Sequence, residues 1–252
     1  MTANIVAATV GVVPEPRAIA IVGGDVEDRD GHPLDAVRLA VLGGLLDATY
    51  PTGRRAGFTI AASRLAGLLA GDADPILAVL SVGLLDDAPR VRWAIAATSA
   101  TGGSRLEPPP PGPATPFESA PEALEARAVA RDRRDRLIVR TGEPGADRLL
   151  DAIAPLLAEL LDELTDRQRP VARMLLLEGR RQADVAEALG VSRATVSVMV
   201  GRGRVRSIER LAGAVRAVTA AGLQARSATD RRSPRDASLT VARPAGPAGL
   251  RA

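Results

Sequence analysis

An α/β front domain followed by an all-helical back half is the fold class the sequence predicts. Three observations predict it. Up to about residue 145, short apolar runs alternate with segments of helical period. Beyond that point, to about residue 225, only the helical period appears. The charge divides at nearly the same place: residues 1–164 sum to −7, residues 165–225 to +6 and residues 226–252 to +4, inside a formal total of +3. The expected organisation is an irregular leader over 1–17, an α/β domain over 18–145, a helical domain over 146–225 and a disordered basic tail over 226–252.

The elements follow in order. Ala18–Val22 (AIAIV) reads as a buried strand ended by a turn at Gly23-Gly24. From Leu34, apolar residues recur at Val37, Val41 and Leu45, one face of a helix that Pro51 should end. Phe58–Ile60 reads as a second strand and Pro75–Leu85 as a helix. Val91, Trp93 and Ile95 alternate, as one face of a third strand does. Leu137–Val139 is a fourth. Between the last two, Leu106–Pro116 contains four consecutive prolines and reads as an extended loop. Arg127–Arg136 reads as a solvated helix face with paired charges. Ala146–Glu163 is helical by period, with a kink expected at Pro155.

Composition removes several kinds of chemistry. The absence of Cys excludes disulfides, cysteine nucleophiles and thiolate metal sites. His32 is the single histidine, which excludes any scheme needing two. Every basic residue is Arg, so there is no P-loop or Schiff-base lysine. Aromatic residues are 2%, too few for a base-stacking platform. No apolar run reaches the roughly 18–20 residues that span a bilayer, and no basic segment precedes the first apolar stretch. A cytoplasmic protein without a membrane partner is expected. Asp25, Glu27, Asp28 and Asp30 read as an exposed acidic turn, since their spacing matches no calcium loop.

The strongest signal is Leu164–Val200, LTDRQRPVARMLLLEGRRQADVAEALGVSRATVSVMV. Thr165 and Gln168 have the spacing of a capping box. The first helix then runs through Val171, Met174, Leu175 and Leu177 to a stop at Gly179. A second, over Gln182–Leu189, turns Val185, Ala186 and Leu189 inward. Gly190 suits a sharp left-handed turn, and Ser192 caps a third helix with Val196 and Met199 or Val200 inward. Ala186, four residues before the turn glycine, lets the two helices approach. This is the pattern of a helix-turn-helix.

Its geometry implies contact with double-stranded DNA, the third helix lying in the major groove with its N-terminal end nearest the bases. Ser192, Arg193, Ala194, Ser197 and Val198 should then face outward. Arg193 can make a bidentate contact to guanine, and Ala194 and Val198 suit thymine methyls. Gln182 and Thr195 are better placed for phosphates, and Arg202, Arg204 and Arg206 extend the positive strip. Val205, Ile208, Leu211 or Ala212, Val215 and Val218 then predict a long amphipathic helix to about Ala221. It packs on Ala146–Glu163 or on the same helix of a second chain, so a homodimer stays open.

LTDRQRPVARMLLLEG and ADVAEALGVSRATVS resemble the DNA-binding C-terminal region of sigma factors and related response regulators. With IVGGDVEDRD, FTIAASRLAGLL, VRWAIAATSATG and GPATPFESAPEALEARAVA added, most of 18–220 resembles the SatD-like family. That resemblance implies a nucleotide-cyclase-like α/β front domain, in which a strand-end Asp and a later acidic turn hold a divalent cation. Asp25 stands at the first place. At the second the chain reads Ile60-Ala61-Ala62-Ser63-Arg64, with no carboxylate. The resemblance therefore implies a sensory, dimerising or vestigial front domain, with no catalytic residue, metal or cofactor. The expected function is a sequence-specific DNA-binding transcriptional regulator. A nucleotide-acting enzyme that uses the motif as a localiser is one alternative, and a protein contacting RNA polymerase is another.

Overall fold

A computed structural model of the chain describes residues 17–61, 64–99 and 135–232. Among these residues, β1 (Arg17–Glu27), β2 (Arg54–Ala61), β3 (Arg64–Ala70), β4 (Arg90–Ser99) and β5 (Leu137–Arg140) form one sheet in the order β2-β3-β1-β4-β5. The pairs are antiparallel except β4–β5, which is parallel. Helices α1 (Ala36–Thr49) and α2 (Ile76–Gly83) belong to this front unit. Then come α3 (Pro144–Asp162), α4 (Gln168–Leu176), α5 (Gln182–Ala188), α6 (Arg193–Arg202) and α7 (Val205–Arg232). A mixed α/β sheet followed by a helical region is thus the architecture. No helix of the described residues is long and apolar enough to cross a membrane.

Alternation along the strands divides the sheet into two faces. Ile19, Ile21, Leu65, Leu69, Trp93, Ile95, Leu137 and Val139 join the same apolar cluster as the helices, while Ala20, Val22, Ala66, Ala94 and Ala96 form a second cluster on the other face. Each large aliphatic chain fully buried in this way contributes about 1.5–3 kcal/mol. The first cluster continues without a break through Leu80 of α2, Leu150 and Leu157 of α3, Val171 of α4 and Val215 of α7. The expected boundary at 145–146 therefore runs through a shared core.

Within the described residues the predicted elements are present, but α1 turns Leu39, Leu42 and Leu46 into the core and leaves Val37 and Val41 of the expected apolar face exposed. There are four further differences. First, β1 does not end at Gly23-Gly24 but runs on to Glu27. A Cβ on Gly23 would lie 2.8 Å from Val91 and 3.1 Å from Trp93, so the glycine makes room for the side chains of β4 and makes no turn. The irregularity comes just after it, where the β1–β4 register shifts and Asp25 takes φ 48°. Second, β3 was not expected. Its residues RLAGLLA are buried at Leu65, Ala66, Gly67 and Leu69, on both sheet faces, so the period-2 signal is lost. Third, α7 extends past Ala221 to Arg232, into the start of the expected tail. Fourth, Thr165 is not the N-cap of α4. Gln168 does accept the Thr165 N–H at 3.0 Å, but a turn intervenes and Arg167 is the cap.

The longer α7 is explained by its support. It packs along α3, and Gly222 sits where any Cβ would fall 2.5 Å from Thr141 Oγ1 and 2.7 Å from Ala146 Cβ. One turn further on, Arg226 donates to the Thr141 carbonyl at 3.3 Å. Of the leader expected over 1–17, Arg17 belongs to β1 and residues 1–16 lie outside the described residues, as do the proline loop, residues 127–134 and everything beyond 232.

Candidate nucleic-acid interface

Local sequence builds α4, α5 and α6 into a tri-helical unit. Gly179 and Gly190 take φ 64° and 62°, the left-handed region that stops a helix sharply. Asp184 accepts the Arg181 N–H at 3.2 Å and so supports the start of α5. Ser192 caps α6, its hydroxyl accepting the Thr195 N–H at 3.0 Å. Inside the unit, Val171, Val185 and Val196 are fully buried, with Ala186 and Val200 nearly so. The small Ala186 side chain lets α5 and α6 close on one another, as expected.

With Val196 and Val200 inward, the opposite face of α6 is fixed. Ser192, Arg193, Ala194, Ser197, Val198 and Arg202 are all exposed. Val198 is 51% exposed, a large apolar side chain on this face. Neither Arg193 nor Arg202 makes an ion pair among the described residues, and the same holds for Arg206 at the start of α7. At the N-terminus of α6, Ser192 accepts the Thr195 N–H through its hydroxyl and the Val196 N–H through its carbonyl, which leaves the N–H groups of Arg193 and Ala194 without a hydrogen-bond partner among the described residues.

Three of the expected contact residues are placed differently from the rest. Gln182 is half-buried at the start of α5. Thr195 is half-buried too, and its hydroxyl lies 2.9 Å from Ser192 Oγ. Arg204 occupies the corner between α6 and α7 at φ 48°, and its Nη1 lies 3.2 Å from Glu163 Oε2. Its charge is shared with an acidic group at the end of α3.

Sequence reading missed the residues that anchor this unit. Arg169, 5% exposed, sends its guanidinium from α4 to the Gly83 carbonyl at the end of α2. Burial pulls its pKa down, and the nearby Arg29 adds to the effect. Arg173, one turn on, reaches Asp86 at 3.3 Å, and Arg29 pairs with Asp166. The partners are more than 80 positions apart in sequence, so no local spacing could have shown them.

The acidic turn closes on itself. Asp28 Oδ1 accepts the N–H groups of Asp30 and His32, each at 2.9 Å, and those bonds lower its pKa. Asp28, Asp30 and His32 bring ligand-type atoms within 4.8 Å of one another. Asp25 points elsewhere, its carboxylate 3.7 Å from Arg92.

Residues 156–220 match the family model KORA, described as TrfB plasmid transcriptional repressor. The match begins in the second half of α3, covers α4, α5 and α6 and ends within α7. The crystal structure of a regulator of polyketide synthase expression from Bifidobacterium adolescentis aligns with 86% of this chain and 83% of its own, at 13% identity and a TM-score of 0.30. No curated protein matches the chain in sequence.

Proposed function

We propose that the chain is a transcriptional regulator that binds double-stranded DNA through α6. The observation that carries this reading is the outward face of α6. It combines Arg193 and Arg202 without ion-pair partners among the described residues, small residues at Ala194 and Ser197, and an exposed apolar Val198. That is the set a major groove accepts: a fork for guanine, a methyl contact, and little bulk between them. The family-model match over the same helices supports it, since that family is described as a transcriptional repressor. The net charge of +6 over 165–225 supplies the attraction to phosphate.

In this reading Arg193 reads a base, with Ser192, Ala194, Ser197 and Val198 beside it. Gln182, Thr195, Arg202 and Arg206 position the helix on the backbone. Arg204 contributes less, because Glu163 neutralises it. The front unit is a non-catalytic module that holds α4 in place and, by its SatD-like resemblance, descends from a nucleotide-handling fold. Site selection from random duplexes with the full chain, followed by a salt titration on the selected site, tests the proposal. A steep fall of affinity with salt, with log K falling about 0.9 per phosphate contact for each tenfold rise in salt, is expected. Absence of binding to any duplex at low salt overturns it.

A further inference from the structure

A cavity of about 420 Å³ opens between the start of β1, the β3–α2 turn and the C-terminal half of α7. Its volume lies within the range, roughly 300–1,000 Å³, of sites that take small organic molecules, and such sites favour the seam between structural units. The floor is apolar, built from Ile19, Pro75, Ala220 and Leu223. Charged groups reach it at three points. Two of them cancel: Arg216 Nε donates to Asp74 Oδ2 at 2.6 Å, while Asp74 Oδ1 accepts the Ile76 N–H at 3.0 Å. The third is Asp72, in the same turn, which is exposed and makes no ion pair or hydrogen bond among the described residues.

The cavity thus joins an apolar floor to one uncompensated carboxylate. We propose that it is a binding site for a small apolar molecule carrying a cationic amine, with the amine on Asp72 and the apolar body over Pro75, Ala220 and Leu223. A carboxylate or phosphate ligand would stand beside Asp72 while the guanidinium across the site is already held by Asp74. The two walls belong to different parts of the chain. One is the turn after β3; the other is α7, which follows α6 directly. A ligand seated between them therefore bears on the helix that supports α6 and alters DNA affinity. This second step rests on the DNA-binding reading; the binding step does not.

Isothermal titration of the full chain with phenethylamine and tryptamine, against phenylacetate as the size-matched acid, tests the site. The amines should bind, and the acid should bind at least tenfold more weakly. Asp72→Asn should weaken the amines about tenfold, the loss of one charged hydrogen bond. Ala220→Trp should abolish binding by filling the floor; if that variant does not fold, Asp72→Asn on the exposed turn carries the test alone. No binding by either amine, equal binding by the acid, or an unchanged Asp72→Asn overturns the site. Amine binding without any change in DNA affinity overturns the regulatory step. Amine binding by a chain that binds no duplex overturns the DNA-binding reading and leaves the site standing.

Discussion

Arg169 of α4 donates through Nη1 to the carbonyl oxygen of Gly83, the last residue of α2. This bond joins the first helix of the tri-helical unit to the front sheet unit. It is buried, and the Nε of the same guanidinium has no hydrogen-bond partner among the described residues. Two ion pairs flank it at the surface, Arg173–Asp86 and Arg29–Asp166. Exposed pairs of this kind contribute about 0–1 kcal/mol each, so the buried contact sets how α4 sits.

Arg169→Ala should destabilise the full chain by about 2–4 kcal/mol, because it leaves a cavity and strips the Gly83 carbonyl of its donor. Arg169→Met should cost clearly less. It refills most of the volume and removes a buried charge that makes no ion pair among the described residues. Urea unfolding of the three proteins measures both differences. Equal losses for Ala and Met would mean that the charge, and not the packing, matters at this position.

Gly190 isolates a backbone effect. A Cβ there would meet nothing within 4 Å, so no clash opposes a side chain, yet φ is 62°. Gly190→Ala should cost about 1–2 kcal/mol from the left-handed conformation alone. Gly190→Val should cost more, since a β-branched residue is poorly tolerated there, and Gly190→Asn the least. Thermal unfolding of the three variants gives the order, and a flat series would remove the strain from the account.

Glu143 makes the start of α3 sensitive to pH. Its carboxylate accepts the N–H groups of Ala146 at 2.5 Å and Gly145 at 2.9 Å, and those two bonds lower its pKa. A carboxylate with a lowered folded pKa stabilises fully above its unfolded value and loses that contribution as pH falls through the folded one. Glu143→Gln should therefore lower the melting temperature at pH 7. The gap to the wild type should close as the pH drops below the ordinary Glu value of 4.5. Melting curves from pH 7 to pH 3 decide it, and a gap independent of pH would show that only the amide–carboxylate shape difference is being read.

The back half was legible because its signals are local. Gly179, Gly190, Ser192 and the Val185–Val196 spacing each act within one or two turns, and each sits as its chemistry demands. The sheet was less legible. Gly23 looked like a turn residue, but its lack of a side chain serves packing under Val91 and Trp93, which sequence does not display. β3 was lost because both its faces are apolar. The length of α7 depends on Thr141 and Ala146 beneath Gly222, a contact about 80 residues away in the chain. For the interface, composition gave the arginines but could not separate the paired Arg204 from the open Arg193 and Arg202, since Glu163 meets Arg204 only after α3 and α7 have packed.

That separation gives the sharpest prediction for function. Arg193 begins α6 on its exposed face and Arg202 ends the helix; in the proposed reading the first reaches a guanine and the second only the DNA backbone. Arg193→Ala should cost about 1–3 kcal/mol on a selected site and much less on random duplex, so that specificity relaxes. Arg202→Ala should weaken both duplexes alike and make the salt slope shallower by about one unit. Arg204→Ala should do neither in full, because Glu163 already neutralises that charge. Glu163→Gln should release it, strengthening binding to both duplexes and steepening the slope. None of the four changes touches the Val171–Val185–Val196 core, so circular dichroism should be unchanged. Salt titrations of each variant on both duplexes read the outcome. Identical losses for Arg193→Ala and Arg202→Ala on both duplexes would remove Arg193 from base readout, and a Glu163→Gln variant indistinguishable from wild type would remove Arg204 from the interface.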